Sequence, residues 1–543
     1  MQYHYASVWE TIADAIPLRP ALVHGETRRN WAEFDQRAAR LAGAFAKAGL
    51  KADSKIGHYL YNSNEYLEAH FAAFKMRASP VNVNYRYLEE ELTYLLDNSD
   101  AEAVLFHGRL AERIANVAKK LPRLKLLIQV DDGQSPIIDG AMEYEKFLAS
   151  GDPMPRQARS EDDLYMLYTG GTTGMPKGVM YRQGDHCFGL MMGYDFRGLP
   201  RPKSHEEMIG VIRRLEAANA LPVSIPACPL MHGTGIWVGA FAPLMIGGCV
   251  VTLPNLNFDP DAIWRQVQQH RVTDLIIVGD AFAKPLSNAL DAAAEAGKPY
   301  DISSLNLVIS SGVMWTAEVK QQMLKHKDMY LIDAMGSTEG SMGRSLTTRA
   351  TTSATAKFQM GEFTKVFNDR DEEVKPGSGE SGMIAAGGMV PVGYFKDPEK
   401  SAKTFRTIKG VRYSFPGDFA TVDADGAIIL QGRGSVCINS GGEKIFPEEV
   451  EEAVKRHPSV YDCLVVGIKD DRFGEKVTAV ASAKSGQSID ERDVIEEARK
   501  HIAGYKLPKH VIAVPEVPRA PNGKADYKTA KQLAAQALGV KLG

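Results

Sequence analysis

Apolar positions in the first 130 residues switch repeatedly between two periods. Phe34, Ala38, Leu41, Phe45 and Ala48 recur at helical spacing. Asn30 and Glu33 precede that run at the spacing of a capping box, and Gly49 supplies a C-terminal stop, so a helix is predicted between them. KIGHYLY then reads as a strand, YLEAHFAAFKM as a helix, PVNVN as a strand and EEELTYLLDNS as a helix. AEAVLF is a further strand, and another helix precedes the strand LKLLIQV. The alternation asks for a mostly parallel sheet covered on both faces. It returns at VTDLIIVGD and LNLVISSG. The predicted fold class is α/β, a large multi-sheet, doubly wound N-terminal domain with its ligand loops at the carboxyl ends of the strands.

Between Ala217 and Phe258 the chain has no Lys, Arg, Asp or Glu. Length alone would permit a membrane span, but Pro222, Pro226, Pro229 and Pro243 divide the stretch into short pieces. Buried strands and a helix of the core are expected there and no integral membrane segment, with peripheral membrane contact still compatible. The polar stretch from Arg344 to Lys375 predicts surface loops or hairpins. Near Gly432 the texture changes. FPEEVEEAVKR and ERDVIEEARKHI read as helices, and CLVVGIKD and KVTAVASA as strands, of a small α+β domain. The predicted division is 1–431, a joint at 432–435, and 436–543.

At 543 residues the chain exceeds one compact core, in keeping with that division. The formal net charge of -3 offers no field for a polyanion, so nucleic acid is not an expected partner. Five scattered cysteines without a CxxC support neither a disulfide framework nor a zinc knuckle. They suit a reducing cytoplasm, and MQYHYASVWETIADAIP lacks the pattern of a secretory signal.

Four stretches carry chemistry. YTGGTTGMPKGVMY, Tyr168 to Tyr181, combines glycines that expose backbone N–H groups with threonine hydroxyls and a lysine, a set suited to phosphate. It is not a Walker A loop, because Met175 and Pro176 intervene before Lys177. AMGSTEG, Ala334 to Gly340, is a tight Gly turn that sets Ser337 and Thr338 hydroxyls beside the Glu339 carboxylate, which fits phosphate with Mg²⁺, although taken alone it fits a helix N-cap better. Asp418 and Arg433 flank the predicted joint as a ribose-binding pair or as a structural ion pair. Lys524, in PNGKADY, is a cation on a turn, and most such lysines are simply solvated.

Taken in order, the glycine loop, PLMHGTG, SSGVM, GSTEG, PGD, GR, SGGEKIFPEEVE and NGK resemble the ANL superfamily of AMP-forming adenylating enzymes, and within it the acyl-CoA synthetases. The resemblance covers nearly the whole chain. It implies an adenylating N-terminal domain and a mobile C-terminal lid, with ATP, Mg²⁺, coenzyme A and a small-molecule carboxylic acid as reactants. Thr169, Gly170, Gly171, Thr172, Thr173, Gly174 and Lys177 would close over the ATP phosphates. Lys524 would bridge acyl carboxylate and α-phosphate, Glu339 would hold Mg²⁺, and Thr338 would contact phosphate. Asp418 and Arg433 would grip the ribose, while Gly312, Met335, Gly336 and Ser337 would back the nucleotide. Gly441 and Gly442 would admit the pantetheine arm, with Lys444, Arg472 and Lys476 near the CoA phosphates. His232 would stand where the acyl pocket meets the CoA tunnel, and Trp237 and Trp315 would either shape that pocket or fill the core.

The sequence departs from the family's wording at three of these places. Gly170 stands where Ser is usual, Met335 where an aromatic usually covers adenine, and Ser435 where the hinge is commonly Asp or Lys. HGTG and SGVMW resemble the wording of synthetases for fatty acids and for bulky cyclic or steroid acids. Homodimers are common among such enzymes. Transfer to a carrier-protein phosphopantetheine is the alternative fate of the acyl group, and since no carrier domain follows Gly543, free CoA is the expected acceptor. A non-catalytic nucleotide-binding relative would have no need of Lys524.

Overall fold

The computed structural model of the chain describes residues 1–171, 174–440, 443–470, 474–520 and 523–540, the side chains at 433, 435, 439, 443 and 444 excepted. Two compact units emerge. The first comprises Met1–Ser341, Leu346–Ser353 and Gly387–Ser414, and the second Met342–Ser345, Ala354–Ala386 and Phe415–Gly543.

Within the first unit the expected rhythm becomes two sheets. One runs in the order Gly393–Tyr394, Gly174–Arg182, Leu164–Gly171, Ser79–Asn82, Lys55–Tyr59, Ala101–His107, Leu126–Val130 and Ala141–Glu143. It is parallel from Leu164–Gly171 onward and antiparallel at the two strands before it. The other orders Thr27–Asn30, Pro20–His24, Cys249–Thr252, Val223–Pro226, Asp274–Ile277, Leu307–Ser311 and Tyr330–Ser337. Helix Trp31–Lys47 starts at the predicted box, where Asn30 Oδ1 accepts from Glu33 N and Glu33 Oε2 accepts from Asn30 N, both at 2.8 Å. Its apolar face enters a core built around Trp9, Phe34, Phe71, Phe74 and Phe241, all fully buried.

The charge-free stretch resolves as its prolines dictate. Strand Val223–Pro226 leads to a π-helix over Thr234–Phe241, a short helix Ala242–Leu244 and strand Cys249–Thr252. Among the described residues no helix is long and apolar enough to cross a membrane.

In the second unit, Lys357–Met360 and Thr364–Phe367 give the polar Arg344–Lys375 region two strands, paired antiparallel with Ile428–Arg433 and Ser381–Ala386. The C-terminal part has its own sheet, in which Val460–Asp470 and Gly474–Ala483 pair antiparallel and His510–Ala513 joins parallel. Alternation along its strands separates two small cores. Cys463 and Val465 pack with Val450, Val454 and Val494 from helices Pro447–Lys455 and Glu491–Arg499, while Leu464 and Val466 pack with Ala530 and Ala534 of helix Tyr527–Ala537. The helices and strands read from FPEEVEEAVKR, ERDVIEEARKHI, CLVVGIKD and KVTAVASA all form in this segment.

Candidate active site

The glycine-rich run is a β-hairpin. Strand Leu164–Gly171 returns as Gly174–Arg182 with Thr169 opposite Lys177 and Gly171 opposite Gly174, and Thr172 and Thr173 lie outside the described residues. Strand Gly393–Tyr394 lies along the far edge, with Tyr394 opposite Val179. Half-buried Lys177 has its amine 5.2 Å from the centroid of the Tyr394 ring. Burial, followed by the neighbouring Lys400 ammonium, pulls the Lys177 pKa down to about 8, against the opposing pull of Glu339 and Asp397.

The GSTEG run is a turn between two strands and not a helix start. Thr338 and Glu339 lie between Tyr330–Ser337 and Gly340–Thr347. Four hydrogen bonds hold this turn. Tyr181 donates to the Thr338 carbonyl at 2.9 Å, and Ser414 donates to the Glu339 carbonyl at 2.8 Å. The Glu339 N–H donates to Ser337 Oγ at 3.1 Å, and Tyr394 donates to Glu339 Oε1 at 2.7 Å. Hairpin lysine and turn carboxylate, 162 positions apart in sequence, are thus brought to the same tyrosine. Among the described residues no group of three His, Cys, Asp or Glu side chains is placed to hold a metal by itself. One carboxylate beside a lysine and hydroxyls suited to phosphate would fit Mg²⁺, which keeps waters and takes phosphate oxygens for most of its shell.

PLMHGTG is fixed to the same sheet by two asparagines. Asn82 Nδ2 donates to the carbonyls of Tyr168 at 2.9 Å and Met231 at 2.6 Å, and its Oδ1 accepts from Tyr168 N at 2.6 Å. Asn62 likewise takes Leu230 N at 2.8 Å and gives to Cys228 O at 3.0 Å. His232, half-buried, ends this clamped segment just before the π-helix. A Cβ at Gly235 would stand 2.2 Å from the Pro229 carbonyl oxygen. Gly235→Ala is therefore expected to cost about 1–3 kcal/mol of stability, read as a lowered urea midpoint.

Trp237, half-buried, donates from Nε1 to Tyr165 OH at 2.9 Å. Trp315 is fully buried in the core, so of its two expected roles it fills the core. Gly312 follows strand Leu307–Ser311 at φ +93°, a conformation that glycine accepts readily, and Met335 is buried on strand Tyr330–Ser337.

The second unit holds the remaining expected residues. Asp418, buried, begins strand Asp418–Val422 directly opposite Arg433. Lys524 is exposed beside a turn in which Gly523 has φ +78°. Gly441, Gly442 and Arg472 lie outside the described residues, as do the side chains of Arg433, Ser435 and Lys444. Lys476 sits on strand Gly474–Ala483.

Residues 9–395 match the model of the AMP-binding enzyme family, and residues 449–524 match that of the AMP-binding enzyme C-terminal domain. The chain belongs to the AMP-binding enzyme family. A medium/long-chain-fatty-acid–CoA/3-oxocholest-4-en-26-oate–CoA ligase of Mycolicibacterium smegmatis is 41% identical over 98% of this chain and 97% of its own length. A 3-oxocholest-4-en-26-oate–CoA ligase of Rhodococcus rhodochrous is 40% identical over 98% and 96%. In fold, the anthranilate CoA ligase AuaEII matches with a TM-score of 0.83 at 21% identity, covering 99% of both chains. ATP-bound MatB from Rhodopseudomonas palustris matches with a TM-score of 0.80 at 24% identity, covering 98% of this chain and 99% of its own. This AMP-binding enzyme is an AMP-forming acyl-CoA synthetase, an acid–thiol ligase that uses ATP, Mg²⁺ and CoA.

Tyr394, Ser414, Asn62 and Asn82 escape a reading of motifs, and Tyr181 enters one only as the last residue of the glycine-rich run. Only Asn82 leaves a signal, as an amide inside a strand whose four residues are all buried.

Proposed function

We propose that this synthetase activates a hydrophobic carboxylic acid, a medium- or long-chain fatty acid or a bulky cyclic or steroid acid, and transfers it to CoA. The observation that supports this substrate class is the 41% identity, over nearly the full length, to a ligase named for both kinds of acid. The charge-free stretch Ala217–Phe258, with Trp237 on the helix after His232, agrees with an apolar acyl group.

A carboxylate is a poor electrophile, and adenylation gives it a leaving group. The acid's oxygen attacks the α-phosphorus of ATP, forming acyl-AMP as pyrophosphate departs. Two anions approach in this step, and positive charge must meet them. We assign Lys524 to the acyl carboxylate and α-phosphate, Thr169 to Lys177 to the departing phosphates, Thr338 to phosphate, and Asp418 with Arg433 to the ribose. Gly312, Met335, Gly336 and Ser337 are assigned to back the nucleotide. Glu339 would hold Mg²⁺, which when bound neutralises phosphate charge. The CoA thiolate then attacks the acyl carbon and expels AMP.

We assign the thiol's approach to Gly441 and Gly442, the acyl-pocket mouth to His232, and CoA phosphate contact to Lys444. The two steps would be separated by turning 436–543 against 1–431 about 432–435, where a single turn of 3₁₀-helix, Gly434–Val436, follows strand Ile428–Arg433. A cytoplasmic site of action agrees with five cysteines, all free. Homodimer formation and peripheral membrane contact belong to the same proposal.

Pyrophosphate release with ATP and Mg²⁺, across acids from acetate through long-chain, aryl and steroid acids and with or without CoA, tests the reading. Release with hydrophobic acids, and acyl-CoA only when CoA is added, is expected. A preference for acetate or short polar acids would overturn the substrate class, and adenylation without any transfer to CoA would overturn the acceptor.

A further inference from the structure

The Glu339 carboxylate is directed by the protein itself. The Tyr394 hydroxyl donates to its Oε1 at 2.7 Å, and Tyr394 itself has little freedom. It is 5% exposed, its N–H donates to Ser401 Oγ at 2.8 Å, and its strand is paired to the phosphate hairpin at Val179. Its ring packs against Phe405, centroids 5.2 Å apart, in a cluster that includes Tyr181, whose hydroxyl holds the neighbouring Thr338 carbonyl, and it lies beneath the Lys177 amine. A carboxylate that is to take one position on a hydrated cation must present one oxygen in a fixed direction. Occupying Oε1 with a rigid donor leaves Oε2 to do so.

We propose that Tyr394 is the positioning residue that aims the Glu339 carboxylate at Mg²⁺. The proposal rests on the reading of Glu339 as the metal ligand. Tyr394 touches neither acid nor nucleotide in this scheme. Its hydroxyl fixes the carboxylate's rotamer, and its backbone ties that rotamer to the hairpin that closes over the phosphates.

The experiment measures Mn²⁺ binding, by electron paramagnetic resonance, to the full chain saturated with α,β-methylene-ATP, and needs no turnover. Tyr394→Phe is expected to weaken Mn²⁺ binding about 10-fold, the scale found when a group that orients a metal ligand is removed. Glu339→Gln should weaken it at least as much, and Tyr394→Phe should add nothing on the Glu339→Gln background. A wild-type constant for Tyr394→Phe beside a weakened Glu339→Gln overturns the proposal and leaves the Glu339 reading intact. A full additional loss in the double variant overturns it too, because Tyr394 would then act elsewhere. A wild-type constant for Glu339→Gln removes the Glu339 reading, and the proposal with it. The melting midpoint certifies the fold. If Tyr394→Phe fails that check, Ser401→Ala, which removes one main-chain anchor of Tyr394 and keeps its hydroxyl, takes its place, with a weakening in the same direction expected and the same overturning result.

Discussion

Replacing Lys524 by Ala is expected to slow acid-dependent pyrophosphate release about 10²–10³-fold, while thioester formation from supplied acyl-adenylate and CoA keeps most of its rate. The asymmetry follows from where charge is needed. Two anions meet only in the first half-reaction, so a cation assigned to the α-phosphate contributes little once pyrophosphate has left. Main-chain and Arg519 contacts hold the segment that carries Lys524. Lys524 O accepts from Ala520 N at 2.7 Å, Gly523 N donates to Ala520 O at 2.8 Å, and Arg519 donates to Gly523 O at 3.0 Å. Arg519 is itself held by Asp462 through bonds of 2.6 and 2.8 Å. These contacts run through main-chain atoms and the Arg519 guanidinium, and a melting midpoint for Lys524→Ala separates any loss of fold from the loss of rate. Single-turnover assays of each half-reaction decide the matter. Equal losses in both would place the amine's role outside adenylation, and no loss in either would remove Lys524 from the mechanism.

A larger effect on stability is expected from Lys320→Met. The Lys320 amine lies 3.2 Å from Asp333 Oδ2 with both side chains nearly inaccessible, 1% and 6% exposed. Removing the cation strands a carboxylate in the core, which costs about 3–5 kcal/mol. Asp333→Asn added to Lys320→Met should restore much of that loss, since no charge is then left unpaired. The pair also carries a pH signature. Burial, incompletely offset by Lys320, pushes the Asp333 pKa up to about 6 from an ordinary 3.8. Between those values the folded chain holds more proton than the unfolded chain, so this group's contribution to stability falls as pH rises through the window. Urea midpoints measured from pH 4 to 7 should lose that component in Asp333→Asn. A slope unchanged by the substitution would mean that Asp333 titrates normally.

Much of this architecture is written in local pattern. The Asn30–Glu33 box, the alternating strands and the prolines that divide Ala217–Phe258 act within a few residues of themselves, and each appears where periodicity places it. The motifs likewise marked the glycine-rich run, though as a loop and not as a hairpin, and the GSTEG turn. Hidden from the sequence were the groups that join them. Tyr181 reaches Thr338 across 157 positions and Tyr394 reaches Glu339 across 55, and neither partner perturbs the pattern around the other. The strands within Arg344–Lys375 escaped for a related reason. A polar strand declares itself only through its neighbour, and Lys357–Met360 finds one at Ile428–Arg433, some seventy residues further on.

The π-helix over Thr234–Phe241 has a bearing on how such a protein diversifies. Its wider winding accommodates one residue more than an α-helical path between the same anchors would, and Pro229 on one side and strand Cys249–Thr252 on the other leave those anchors little room to shift. Losing a single residue there would tighten the winding between those anchors and redistribute the side chains within the helix, Trp237 among them, about its axis. Changes in length within these eight positions would therefore reshape the surroundings of His232 more than any one exchange of side chains. Libraries built on insertions and deletions would sample shapes here that substitution scanning never reaches.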